Sequence, residues 1–253
     1  MKIVLTPDRQ SLGTYVGAKA AAVLRYAIET RGQARLIVAT GASQFEVLEN
    51  LVGHELPWDK VAAFHLDEYI GIDADHPASF CGYLKQRFVD RVPLGSFAYL
   101  PGDKDPKQVI RSVGAELTAS PIDLALVGIG ENGHLAFNDP PADFETEDPY
   151  LIVDLDEACR RQQVGEGWFD GMDDVPTQAI SMSIKQILKT KCIFCSVPDK
   201  QKAPAVRRTL EDEISPNIPA SVLRQHDDTT LIIDEASAAE LSVATLNSVE
   251  RIA

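Results

Sequence analysis

Short apolar runs alternate with longer amphipathic segments along the whole chain, and this alternation is the signature of βαβ units. The first run is Lys2–Thr6. A helix is expected over Ser11–Arg31, where Val16, Ala20, Val23, Leu24 and Ala27 recur at helical spacing. A second strand over Ala34–Ala39 runs into Thr40-Gly41-Ala42-Ser43 and a helix through Asn50. A third, Lys60–Leu66, leads into Asp67-Glu68-Tyr69, and further strands are expected at Phe97–Leu100, Ile122–Ile129, Thr177–Met182, Cys192–Val197 and Thr229–Ile233. Strands this apolar are covered on both faces, which predicts an α/β fold: a mostly parallel, doubly wound (Rossmann-like) sheet with helices on both sides. The 253 residues contain no internal repeat or low-complexity linker, so 1–253 reads as a single domain. Asp139–Tyr150, acidic and proline-containing, is expected to be a surface loop. The segment at about 157–175, from Glu157 to Val175, holds three glycines and loses periodicity towards its end. It reads either as a lid over a site or as an exposed helix and loop.

The charge balance narrows the partners. With 24 Lys and Arg against 38 Asp and Glu, the net charge is −14, which opposes nucleic acid phosphates and anionic lipid. An anionic substrate would then need a local pocket of donors and cations. The start MKIVLTPDRQ lacks the apolar core of a secretory signal, and no run approaches the ~20 apolar residues of a membrane span. The cysteines, Cys81, Cys159, Cys192 and Cys195, form no disulfide pattern, and a cytoplasmic location is the simplest expectation. Cys192 and Cys195 stand three apart on one strand, so they face opposite sides and cannot chelate together. His54, His65 and His76 show no ligand spacing, and no metal is expected. The acidic C-terminal stretches are expected to be solvated helix faces.

In an open α/β sheet, ligands bind where strands end and loops turn into helices. Three such loops carry chemistry. Thr40-Gly41-Ala42-Ser43 offers small residues and hydroxyls at a helix start, which suits an anion; an ordinary turn with Ser43 as N-cap is equally compatible. Asp67-Glu68 places two acids at the end of an apolar strand, where a buried carboxylate shuttles protons; a capping Asp beside a solvated Glu is the structural alternative. The strongest signal is Gly128-Ile129-Gly130-Glu131-Asn132-Gly133-His134-Leu135-Ala136-Phe137-Asn138-Asp139-Pro140. Its glycines deliver a histidine straight after a buried strand, with an acid five residues on.

The strings FHLDEYIG, GIGENGHLAFNDP, VPDKQKA and LIIDEASAAEL, in this order, resemble the glucosamine-6-phosphate deaminase/isomerase family over nearly the whole chain. The broader superfamily includes 6-phosphogluconolactonases. The resemblance implies a sugar-phosphate substrate, no cofactor, and either a monomer or a homo-oligomer. It implies Asp67 as the acid moving a proton between C2 and C1, and His134 as the ring-opening group. Asp139 stands where the family usually has Glu. Asn132 replaces the usual Asp, and its carbonyl accepts a hydrogen bond without bringing charge. For the phosphate, the resemblance implies Thr40, Gly41, Ala42, Ser43 and Lys202. The family's lid arginine has no counterpart in Glu166-Gly167-Trp168-Phe169, so Arg160 or Arg161, with Arg161 preferred, is expected to reach the phosphate instead.

The leading expectation is deamination and isomerisation of a hexosamine 6-phosphate, glucosamine or galactosamine. The alternatives are a 6-phosphogluconolactonase-like hydrolase, with His134 activating water, and a catalytically silent sugar-phosphate-binding protein.

Overall fold

The structure is a computed structural model and describes residues 1–165 and 167–252. In chain order its elements are β1 (Lys2–Thr6), α1 (Arg9–Arg31), β2 (Ala34–Val38), α2 (Phe45–Val52), β3 (Val61–His65) and β4 (Asp67–Tyr69). Next come α3 (Phe80–Arg87), β5 (Ser96–Ala98), α4 (Pro106–Thr118), β6 (Leu124–Val127), β7 (Tyr150–Asp154) and α5 (Glu157–Gly165). The chain ends with β8 (Gln178–Met182), α6 (Ile184–Leu188), β9 (Cys192–Val197), α7 (Ala203–Glu211), β10 (Thr229–Asp234), α8 (Val243–Leu246) and β11 (Glu250–Arg251).

Eight strands form one sheet in the order β11-β1-β10-β9-β6-β2-β3-β5, and every neighbouring pair is parallel. Alternate side chains feed two cores. Ile37, Ala125, Val127, Ile193 and Cys195 enter one; Leu36, Val38, Leu124, Leu126, Cys192 and Phe194 enter the other. Both faces are thus covered, as the apolar strands required. Cys192 and Cys195 lie on opposite faces, free and buried.

One strand is placed differently from expectation. The run ending at Met182 does not join the parallel sheet: β8 pairs antiparallel with both β4 and β7 in a separate three-stranded sheet. Its partner β7 begins at Tyr150, the end of the expected loop, and two of its five residues are exposed and two half-buried, so it lacks the buried apolar run of a central strand. Asp67-Glu68-Tyr69, read as a loop, is the buried third strand. This small sheet carries Asp67 beyond the end of β3.

Strand order fixes the location of the site. From β2 the chain adds β3 and β5 on one side, then returns with β6 to the other side. The reversal between β2 and β6 opens a crevice at the carboxyl ends of these strands, the place where such sheets bind ligands. Close packing of α1 on α2 supports the β2 loop from behind. A Cβ on Gly13 would sit 2.3 Å from the Glu46 Cβ, so only glycine permits this approach. Asp8 caps α1 by accepting from the Ser11 N–H, and Gly32 ends it in the left-handed region.

Candidate functional site

A cavity at the crevice is lined by Thr40–Ser43, Asp67, Gly130, His134, Gln163, Trp168, Asp199 and Lys202, among others. Three of the loops singled out from sequence therefore meet there, together with the turn after β9.

The loop after β2 enters a single 3₁₀ turn, Ala42–Gln44, before α2. Ser43 makes no side-chain capping bond. Gly41 has φ 94°, a left-handed conformation that favours glycine. The loop is held from outside: the Tyr83 hydroxyl donates to the Gly41 carbonyl at 3.3 Å, and Arg9 Nη2 donates to the Ala42 carbonyl at 2.7 Å. Among the described residues, the backbone N–H groups of Gly41, Ala42 and Ser43 have no protein acceptor, which suits them to an anion.

Arg9 also reaches Asp199 at 3.1 Å and Glu46 at 2.9 Å, tying this loop to the turn that carries Lys202. Asp199 adopts φ 79° without being glycine, a strained conformation of the kind that clusters at ligand sites. Its N–H donates to both carboxylate oxygens of Asp234 at 3.2 Å. Asp234 is buried at the end of β10, so this part of the acidic C-terminal stretch is an anchor for the site, not the expected solvated helix face. Glu235 and Glu240 do stand at the surface.

Asp67 and Glu68 have opposite environments. Glu68 is 1 % exposed and accepts four hydrogen bonds, from the Ser79 hydroxyl and the N–H groups of Tyr69, Phe80 and Cys81. A solvated Glu is thereby excluded. Asp67, 6 % exposed, accepts none among the described residues and faces the cavity. Burial, with Glu68 adding like charge, raises the Asp67 pKa well above the ordinary carboxylate value. Burial also raises the Glu68 pKa, despite its four donors. The preceding His65 lies outside the cavity lining: fully buried, it accepts the Leu100 N–H at 2.8 Å, and desolvation lowers its pKa to about 3.

The loop after β6 folds into a tight turn, with Gly133 N–H donating to the Gly130 carbonyl and Gly130 N–H to the His134 carbonyl, both at 3.0 Å. Gly130 is required by the imidazole itself, because a Cβ there would lie 2.2 Å from His134 Nε2. His134 Nδ1 lies 2.8 Å from Asp139 Oδ1. Asn132 joins them: its Nδ2 donates to Asp139 Oδ1 at 2.9 Å, and its Oδ1 accepts the His134 backbone N–H at 3.0 Å. The Asn132 carbonyl is an acceptor as expected, but for the backbone, not the imidazole. Burial pushes the Asp139 pKa up, yet the bond and charge of His134 and the amide of Asn132 outweigh it, leaving the carboxyl below its ordinary value. Asn138 fastens the loop to β8, donating to the Leu135 and Met182 carbonyls at 2.7 and 2.8 Å.

The segment at 157–175 folds as α5 and a following loop, and Gln163 and Trp168 reach the cavity wall. Glu166 lies outside the described residues. Neither arginine of α5 lines the cavity. Arg161, 68 % exposed, pairs one turn back with Glu157 on the outer face of the helix, and Arg160 donates to the Met172 and Val175 carbonyls. Arg161, expected to meet the phosphate, therefore does not reach the cavity wall: its position on the helix turns it to solvent. Lys202, by contrast, lines the cavity.

Among the described residues, His134, Asp139 and Cys159 bring potential ligand atoms within 4.8 Å of one another. His134 Nδ1 is committed to Asp139, and burial pushes the Cys159 thiol far above its usual range. The group handles protons more readily than it holds a cation.

These features define an open α/β protein whose switch point gathers a glycine-containing loop with free N–H groups, a carboxylate with no hydrogen bond among the described residues, and a carboxylate-held histidine. The chain belongs to the family of glucosamine-6-phosphate isomerases and 6-phosphogluconolactonases, whose model matches residues 7–232. It is 34 % identical over 248 residues to a glucosamine-6-phosphate deaminase of Bacillus pumilus, covering 92 % of this chain and 97 % of that one. A Streptococcus agalactiae glucosamine-6-phosphate deaminase is 36 % identical, with 83 % and 89 % covered. The solved structure of a monomeric glucosamine-6-phosphate deaminase superposes with a TM-score of 0.84 at 30 % identity, over 94 % of this chain and 99 % of that one. A putative 6-phosphogluconolactonase of Neisseria gonorrhoeae, at 17 % identity and TM-score 0.75 over 93 % and 100 % of the two chains, shares the fold. No described helix is long and apolar enough to cross a membrane.

Several residues of the site had no local sequence signal. Arg9 works across 190 residues of sequence to Asp199, and Gln163 stands in a weakly periodic helix. Asp199 was visible only as part of a family string.

Proposed function

We propose that the chain converts a hexosamine 6-phosphate, glucosamine 6-phosphate in the first instance, to a ketohexose 6-phosphate and ammonia. One observation carries this reading: Asp67, a buried carboxylate with no hydrogen bond among the described residues, faces the same cavity as His134. Glycine-lined N–H groups at 41–43, with Lys202, would hold the phosphate. His134, oriented by Asp139, would exchange a proton with the ring oxygen to open the sugar. Asp67 would then take the proton from C2 and return it to C1. The resulting C2 imine adds water and releases ammonia, so the overall reaction consumes one water per sugar. A single carboxylate serves both carbons because they are adjacent. An acid with a raised pKa suits both halves of such a transfer near neutral pH.

Lactone hydrolysis needs only a base to activate water and would give Asp67 no task. The two reactions are separated by incubating the protein with glucosamine 6-phosphate, galactosamine 6-phosphate and a 6-phosphogluconolactone. Ammonia release from a hexosamine phosphate supports the proposal. Acid production from the lactone alone, or ligand binding without any turnover, contradicts it.

A further inference from the structure

Gln163 has no task in the reaction just described, yet it lines the cavity and is 7 % exposed. Its Oε1 accepts from the Tyr69 hydroxyl at 2.7 Å. That bond fixes how the amide faces and leaves Nε2 as a two-hydrogen donor. Among the described residues, Nε2 has no hydrogen-bond acceptor, and it is not one of the polar atoms sealed inside the protein. The space it meets is the cavity. The Tyr69 ring that sets this orientation is itself wedged between Phe80, Phe137 and Phe169, at centroid distances of 5.0, 5.1 and 5.4 Å. Tyr69 stands two residues after Asp67 on β4, so the two side chains leave the strand on the same face. The amide is therefore positioned from the Asp67 side of the cavity, where the hexosamine-phosphate reading would set the reacting carbons. Nearby, Ser79 commits its hydroxyl proton to Glu68.

We infer that Gln163 is a specificity-determining residue, whose Nε2 donates a hydrogen bond to a sugar hydroxyl on the carbons next to the C1–C2 centre. This rests on the hexosamine-phosphate reading above and adds to it a fixed, uncharged donor that reads the sugar's stereochemistry. A rigid donor left unpaired by the wrong sugar discriminates against that sugar, whereas a mobile one adapts.

The test is a cycle between protein and substrate. The kcat/KM of ammonia release is measured for wild type and Gln163→Met on glucosamine 6-phosphate and on its 3-deoxy and 4-deoxy analogues. Wild type should lose about tenfold on the analogue that lacks the hydroxyl being read. Gln163→Met should lose about tenfold on the parent sugar and nothing further on that analogue, with the limbs of its pH–rate profile unmoved. Gln163→Leu repeats the comparison if the methionine variant melts early. Equal losses on all three substrates would assign Gln163 a structural role and overturn the inference alone. Absence of ammonia release by the wild-type chain from every hexosamine 6-phosphate would overturn the function proposal and this inference with it.

Discussion

Asp67 and Glu68 are adjacent carboxylates that leave β4 in opposite directions, one into the cavity with no hydrogen bond among the described residues and the other into a nest of four donors. The pair separates an acid open to the cavity from one bound into the fold. Glu68 binds the start of α3 to β4 through Ser79, Phe80 and Cys81.

The raised pKa of Asp67 has a consequence for stability. A carboxyl whose folded pKa lies above its unfolded value costs stability once pH rises past the unfolded pKa of about 3.9. Below both values the cost is absent. Asp67→Asn should therefore melt about 2–4 °C higher than wild type at pH 7, corresponding to roughly 1 kcal/mol. The gain should fade towards pH 3. Scanning calorimetry across this range checks the sign, and a lower Tm at pH 7 would contradict the account.

Asp139 behaves in the opposite sense. Its pKa is depressed, so its contribution to stability is present above the unfolded value and is lost as pH falls through the folded one. Asn132→Asp would replace the amide that donates to Asp139 with a second carboxylate, raising the Asp139 pKa. The acid limb of the kcat profile, and the acid-side loss of stability, should both move to higher pH. Identical profiles for wild type and Asn132→Asp would remove this position from the tuning of the His134–Asp139 pair.

The cations can be told apart by steady-state kinetics. Lys202→Ala should raise KM for the phosphorylated sugar by roughly 10–100-fold, because charge-assisted contacts are worth about 1.5–3 kcal/mol. Arg161→Ala should leave KM unchanged, since its side chain pairs with Glu157 on the outer face of α5. A raised KM in Arg161→Ala would mean that α5 turns on binding.

Gly13→Ala should cost about 1–3 kcal/mol by forcing α1 off α2, given the 2.3 Å approach to the Glu46 Cβ. Arg9 and Glu46 are partners behind the loop after β2, so KM should rise as well if that loop holds the phosphate as proposed. Thermal melting and substrate titration measure the two effects separately.

Much of this was legible from local chemistry. The apolar strands announced the parallel sheet, and the glycines around His134 announced a turn built to present a side chain. Gly130 bears this out, since nothing larger leaves room for the imidazole. The three-stranded sheet was less visible, because only one of the five residues of β7 is buried and β4 is three residues long. Tertiary pairing, not propensity, makes them strands. The placement of Arg161 followed from helix phase, which the weakly periodic segment around it could not fix. Arg9, Tyr83 and Gln163 act through partners 33 to 190 residues away, and no spacing in the sequence encodes such contacts.

The central claim is that Asp67 carries the proton between C2 and C1. The most direct test is to follow glucosamine 6-phosphate in deuterium oxide by NMR, with wild type and Asp67→Asn. Wild type should give ammonia and a ketohexose 6-phosphate in equal amounts, with deuterium entering at C1. Asp67→Asn should bind the sugar with little change in affinity and slow both events by about 10²–10⁴-fold. Ammonia release by Asp67→Asn at a rate near that of wild type would contradict the account.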